Sequence, residues 1–196
     1  MIEAELDKAS IARSADGMLI ASFCDKIAEL KPQLVTFNGN SFDLPVLRYR
    51  AMIHGVSAPG LAARLYFNRY TEDAVDLCDI LSSFAPHSKA SLNELSKIMG
   101  LPGKPEGIDG NDVERYFLES RIKEIADYCE VDVVNTYRVW LRYELFRGRL
   151  SESEHQASER SLADFIGARV CGARRPAPVS PRSEGRAIWR LNATAF

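Results

Sequence analysis

Two short stretches of the chain combine residue types that could serve a divalent cation. In Asn38-Gly39-Asn40-Ser41-Phe42-Asp43, an amide and then an acid follow a β-prone run, Leu34 to Asn38. A buried strand ending in such a loop delivers side chains to the carboxyl edge of a sheet, the usual place for an α/β active site. In Tyr128-Cys129-Glu130-Val131-Asp132, a phenol and an acid stand four residues apart, so on a helix both point to one face. Oxygen donors of this kind suit hard ions better than imidazole or thiolate would. Each stretch also has a plainer reading: Asp43 as a helix N-cap, and Tyr128 with Asp132 as a solvated face.

These residues need elements to hold them. Leu19, Phe23, Ile27 and Leu30 recur at helical spacing, which predicts an amphipathic helix over Gly17 to Lys31, stopped by Pro32. The strand Leu34 to Asn38 and the turn Gly39-Asn40-Ser41 follow, then a helix over Phe42 to His54 that Ser41 or Asp43 could cap. Pro59 to Tyr70 reads as a loop with a short aromatic-bearing strand, and Val75 to Phe84 fits helix or strand. Ser91-x-x-Glu94 is a capping box with Gly100 at the far end of its helix, and the glycine- and proline-rich stretch Gly100 to Gly110 is a loop. A long helix over Arg121 to Arg147 should bury Ile122, Ile125, Cys129, Val133, Thr136, Trp140 and Tyr143 along one stripe, and Ser151-x-x-Glu154 opens a further helix.

The composition is that of an ordinary globular chain: 196 residues, 46% apolar and 27% charged, which excludes disorder throughout. A net charge of -2 excludes a generally basic nucleic-acid coat, but it conceals an asymmetry. From Arg169 to Phe196 six arginines face one acid, a net of +5, which leaves -7 for the rest. Residues 1–168 are therefore expected to form the folded domain and 169–196 an Arg/Pro-rich, disordered tail. Met1 to Ser10 lacks the basic start and apolar run of a signal peptide, and no apolar stretch reaches the ~18 residues of a membrane span, so a cytoplasmic location with no membrane partner is expected. Four scattered cysteines and three isolated histidines form neither a zinc site nor a nucleophilic triad.

Taken in order, the segments PQLVTFNGNSFDLPVLRYRAMIHG, KASLNELSKIMGLPGKPEGIDGNDV and EIADYCEVDVVNTYRVWLRYELFRG resemble the predicted 3'-5' exonucleases related to the proofreading domain of family-B DNA polymerases. The resemblance covers roughly Leu19 to Ile166. It places the chain in the DEDD superfamily, tyrosine subclass, and implies an α/β, ribonuclease-H-like exonuclease fold. In such enzymes four carboxylates hold two divalent cations, Mg2+ or Mn2+, for phosphodiester hydrolysis. The resemblance implies Asp43 and Asp132 as metal ligands, Tyr128 as the phenol that orients the water, and Asn38 and Phe42 as contacts to the 3' end. The partner so implied is a single-stranded DNA 3' end, with RNA not excluded.

The family's first motif, an Asp-x-Glu on an early strand, should lie further upstream of the FNG loop than Met1. Glu3-Ala4-Glu5 and Glu5-Leu6-Asp7 have the alternate spacing of that motif, but the distance to Leu34 scarcely leaves room for two more strands. The fold is therefore expected without the N-terminal strands of its sheet, with a protein partner able to complete it, and with activity impaired by two missing ligands. The competing expectation is a non-catalytic nucleic-acid-binding or interaction module, or the inactive remnant of a truncated gene. Asp76 and Asp79, three apart in VDLCDIL, read as caps or surface acids rather than further ligands. Gly100-Leu101-Pro102-Gly103-Lys104-Pro105 lacks the phosphate-loop pattern, which argues against nucleoside triphosphate binding.

Overall fold

The computed structural model describes residues 15–103 and 110–170. They belong to two compact units that divide after Asp76. Glu3, Glu5, Lys104 and residues 171–196 lie outside the described residues. The architecture is mixed α/β, mostly helical, with a two-stranded parallel sheet among the described residues.

In the first unit, helix α1 (Ala15–Leu30) buries Ile20, Cys24 and Ile27. Its buried stripe is thus turned by about one residue from the expected one, and Phe23 is only partly buried against the core. The backbone leaves the helix at Lys31 with φ +43, and Pro32 is fully buried where it redirects the chain. Strand β1 (Leu34–Thr36) is shorter than expected because Asn38 has turned to φ +65, which leaves extended geometry. It pairs in parallel with β2 (Ala74–Asp76), Leu34 opposite Ala74 and Thr36 opposite Asp76. Helix α2 (Asp43–Ile53) follows the loop and buries Leu44 and Ala51.

The stretch after α2 corrects the expected aromatic strand. It holds a short helix, α3 (Pro59–Ala62), and then turns without a strand up to Asp73. Sterics explain the helix: a Cβ at Gly60 would lie 2.5 Å from the Cys24 carbonyl oxygen and 2.6 Å from the Ala28 nitrogen, so only glycine lets α3 approach α1 this closely. The turns beyond it are tied down rather than loose. Arg64 pairs with Asp73 and donates to the Lys31 carbonyl at 2.7 Å, while the fully buried Tyr66 donates its hydroxyl to the Pro32 carbonyl at 2.7 Å. With Ile20, Cys24, Ile27, Leu44, Leu61 and Ala74, Tyr66 makes one apolar cluster, and full burial of a side chain of this size contributes about 1.5–3 kcal/mol.

Val75 to Phe84 resolves as strand and helix in succession, since α4 (Leu77–Leu81), which opens the second unit, begins directly after β2. The expected capping box is present on α5 (Leu92–Ile98). The Glu94 N–H donates to Ser91 Oγ at 3.2 Å and the Ser91 N–H to Glu94 Oε2 at 2.9 Å, which holds the Glu94 carboxyl below its ordinary pKa. Helix α6 (Val113–Leu118) packs on the long helix α7 (Ile122–Phe146), as do α4, α5 and α8 (Glu152–Val170). Ser151 and Glu154 cap α8 by the same exchange of hydrogen bonds. Arg138 of α7 grips Glu159 of α8 through two contacts of 2.9 and 3.2 Å.

The stripe that α7 buries differs from the expected one. Tyr128, Asn135, Val139, Trp140, Leu141 and Glu144 are buried, whereas Ile122 and Cys129 are exposed. Among the described residues four helices pack against α7, so the apolar spacing alone does not decide which side faces inward.

Candidate functional site

The junction between β1 and α2 is built around one buried carboxylate. Asp76, the last residue of β2 and 2% exposed, accepts the Asn38 N–H at Oδ1 and the Asn40 N–H at Oδ2, both at 2.8 Å. Charge-assisted bonds to backbone donors are among the stronger hydrogen bonds in proteins, and here they fix the loop to the end of the sheet. Asn38 occupies the left-handed region that asparagine tolerates better than most residues. Its carbonyl then accepts the Ser41 N–H at 3.1 Å and the Phe42 N–H at 3.2 Å. Gly39 is required by space: an added Cβ would sit 2.4 Å from Thr36 Cβ. The Leu44 N–H returns to the Gly39 carbonyl at 2.9 Å, which starts α2.

This geometry displaces the plainer reading of Asp43. The N-cap is Phe42, no side-chain cap bond is made, and Asp43 is the first helical residue. Asn38, Phe42 and Asp43 therefore occupy a single loop-to-helix junction, and Phe42 is 63% exposed. Asp43 is also exposed as a residue, yet the protein crowding its carboxyl raises its pKa above the ordinary value. Its own backbone N–H opposes that rise, and the nearby Asp76 carboxylate adds to it. A carboxylate destabilised by burial and by a like charge is one that a cation would relieve.

Sequence reasoning missed the role of Asp76. Expected as a cap or surface acid, it is neither: it ends a strand, is buried, and positions the loop. Asp79 is likewise fully buried, paired with Lys89 at 2.9 Å. The signal was the acid itself, set inside the apolar run VDLCDIL, since a carboxylate is seldom buried without a partner.

In the second unit, Tyr128 and Asp132 share a stripe of α7 with Asn135 and Val139. The solvated-face reading is displaced as well, because Tyr128 is 9% exposed and Asp132 half-buried. A Cβ added at Gly110 would lie 3.9 Å from the Tyr128 hydroxyl, so that hydroxyl faces the start of the 110–112 turn. Asn135, one turn on, donates Nδ2 to the Gly103 carbonyl at 3.0 Å and anchors the loop that ends the described stretch. Asp132 Oδ1 is buried and has no hydrogen-bond partner among the described residues.

That orphaned acceptor is the test of whether a divalent ion fits. A buried carboxylate oxygen without a donor is costly unless a cation or water meets it. Each unit thus offers one hard oxygen ligand in a setting that favours a cation, Asp43 in the first and Asp132 in the second. Among the described residues no group of three or more His, Cys, Asp or Glu side chains could hold a metal ion. A lone carboxylate oxygen of this kind suits magnesium or manganese, which bind through one or two carboxylates and retain waters, better than a cage-bound ion.

Residues 4–175 match the family described as predicted 3'-5' exonucleases related to the exonuclease domain of PolB. The chain is 28% identical over 134 residues to a DNA polymerase epsilon catalytic chain of Arabidopsis thaliana. It is 27% identical over 136 residues to the DNA polymerase epsilon catalytic chain of Emericella nidulans, and equally so to that of Aspergillus fumigatus. Each match covers 64% of this chain and 6% of the relative, so the likeness concerns a small part of those polymerases. No solved structure matches with significance. No helix among the described residues is long and apolar enough to cross a membrane.

Proposed function

The chain belongs to the family of predicted 3'-5' exonucleases related to the exonuclease domain of PolB, and from that premise we propose that it is a metal-dependent nuclease acting on single-stranded DNA 3' ends through a ribonuclease-H-like site. The observation that carries the proposal is the setting of the two acids that the sequence resemblance implies as ligands. Asp43 stands where burial and Asp76 disfavour its bare charge, and Asp132 presents a buried oxygen with no donor among the described residues.

In this reading Asp43 and Asp132 would each serve as a ligand for divalent metal, magnesium or manganese. Bound there, the ion supplies positive charge against the phosphodiester oxygens and makes water more acidic. Tyr128, one helical turn from Asp132, accepts or donates a hydrogen bond to orient the attacking water along the line of the scissile bond. Asn38, held in its left-handed turn by the Asp76 clamp, offers its side-chain amide to the terminal sugar or base. The exposed Phe42 ring stacks on the last base. Asp76 touches no substrate and acts as a positioning residue. With few acids among the described residues to offset dehydration of an ion, affinity for metal would be low and turnover would need a high concentration of divalent ion.

A second reading is binding of nucleic acid without hydrolysis. One assay separates the two. The full chain, given a 3'-labelled single-stranded oligonucleotide and manganese, should release mononucleotides, and Asp132→Ala should lower that release at least ~100-fold, about 2.7 kcal/mol of transition-state stabilisation. Release at no manganese concentration would exclude hydrolysis and leave the binding role.

A further inference from the structure

Beside the loop that carries Asn38 lies a cavity of about 150 Å³ lined by Asn40, Ser41, Arg48, Phe67 and Arg69. All five belong to the first unit, and the roles assigned above use none of them. We propose that this cavity is a second strand-binding subsite, which takes an internal phosphodiester of single-stranded nucleic acid rather than the terminal nucleotide. The inference rests on the nuclease reading only in taking Asn38 and Phe42 as the place of the 3' terminus.

Three observations carry it. Arg48 carries its guanidinium 4.8 Å from the Phe67 ring centre and 5.8 Å from that of Tyr49. Among the described residues these ring contacts are its only partners, and none of their carboxylates or carbonyls occupies its N–H edges. A guanidinium steadied through its flat face, with its donor edges open, is prepared for the forked hydrogen bonding that phosphate oxygens accept. Arg69 brings a second guanidinium to the same cavity and lies 5.8 Å from the Tyr70 ring centre. Two basic and two small polar residues in the lining of one cavity point to an anion.

The size narrows the ligand. A cavity of about 150 Å³ falls well below the roughly 300 Å³ at which pockets begin to enclose whole organic ligands, and it suits a phosphate group. The surroundings extend the argument from a phosphate to a strand. Tyr49, Phe67 and Tyr70 are 58%, 39% and 75% exposed, and each lies against an arginine. Exposed rings interleaved with arginine make the surface on which unpaired bases stack while their phosphates are neutralised. Asn40 and Ser41 belong to the loop that also carries Asn38 and Phe42, so a strand whose end lies at Phe42 runs back toward Arg48 within its first few nucleotides.

The test measures binding, not turnover. Fluorescence anisotropy of labelled (dT)8 and of the dinucleotide (dT)2 would be followed in EDTA with the full chain and with its Arg48→Gln/Arg69→Gln variant. Both arginines are exposed, so the fold should survive, and circular dichroism checks that it does. The proposal expects (dT)8 to bind at least tenfold more weakly to the variant, with the slope of log affinity against log salt reduced by about 1.4 for two lost phosphate contacts. It expects (dT)2 to be unaffected, and millimolar inorganic phosphate to compete for (dT)8 with the wild-type chain only. Unchanged (dT)8 affinity, no wild-type binding of (dT)8 at low salt, or equal weakening of (dT)2 would overturn it. Arginine-dependent retention by a chain that releases no nucleotide with manganese would remove the nuclease reading and keep the subsite. Undiminished release from long strands by a variant with unchanged affinity would do the reverse.

Discussion

Asp43 stands on a junction that the rest of its unit has to build, whereas Asp132 rides on a helix that would exist without it. The first depends on a buried carboxylate two elements away, on an asparagine in the left-handed region, and on a glycine that space alone requires. The second depends on the 25-residue helix α7, packed by its neighbours on several sides. Loop-borne chemistry is thus exposed to mutations that never touch the reacting groups. Helix-borne chemistry is insulated, because a rigid element carries its side chains wherever packing places it.

The largest expected break falls on the loop. Asp76→Ala removes both acceptors that hold Asn38 and Asn40 and should cost about 3 kcal/mol, given roughly 1–3 kcal/mol for each polar group left without its partner. Thermal unfolding measures it, and the nuclease assay should fall with it. Next comes Gly39→Ala, whose new methyl meets Thr36 at 2.4 Å and should cost about 2 kcal/mol through overpacking. Thr36→Ala keeps the Cβ that makes this contact, so adding it should recover little of that loss in urea unfolding. On the helix side, Asp132→Asn should change stability by no more than about 0.5 kcal/mol, since its buried oxygen loses no hydrogen bond seen among the described residues, while nucleotide release collapses.

The smallest effect has the opposite sign. The folded-state pKa of Asp43 is raised, so its ionisation costs stability as the pH climbs from the ordinary carboxylate value through the folded one. Asp43→Asn should therefore raise the melting temperature slightly at pH 7. The gain should vanish in acid below the ordinary value, where both states of the wild-type carboxyl are protonated. A variant that is more stable yet inactive would mark Asp43 as a residue kept for chemistry at the expense of the fold.

Much of this contrast could be read from residue order. The FNG loop, the capping boxes of Ser91 and Ser151 and the extent of α7 follow from local rules, turn chemistry, reciprocal capping and period, and the structure has each of them. Local rules failed where a distant partner decides. Nothing near Asp76 in sequence reveals that two loop N–H groups 36 and 38 residues away need it. The helix Pro59–Ala62 replaces an expected strand because Gly60 lets it rest on α1, a contact invisible at the level of propensity. The rotated stripe of α7 has the same origin, for a helix with neighbours on several sides buries whatever faces them, including Tyr128 and Asn135. Asp43 itself shows the limit of statistics: an acid before a helix is usually its cap, and here the cap is Phe42.

The central proposal is that Asp43 and Asp132 are both ligands of divalent metal. Manganese binding followed by electron paramagnetic resonance on the wild-type chain, Asp43→Asn, Asp132→Asn and the double variant tests it most directly. Each single substitution should weaken manganese binding at least ~tenfold. Manganese retained in full by either single variant would contradict the proposal.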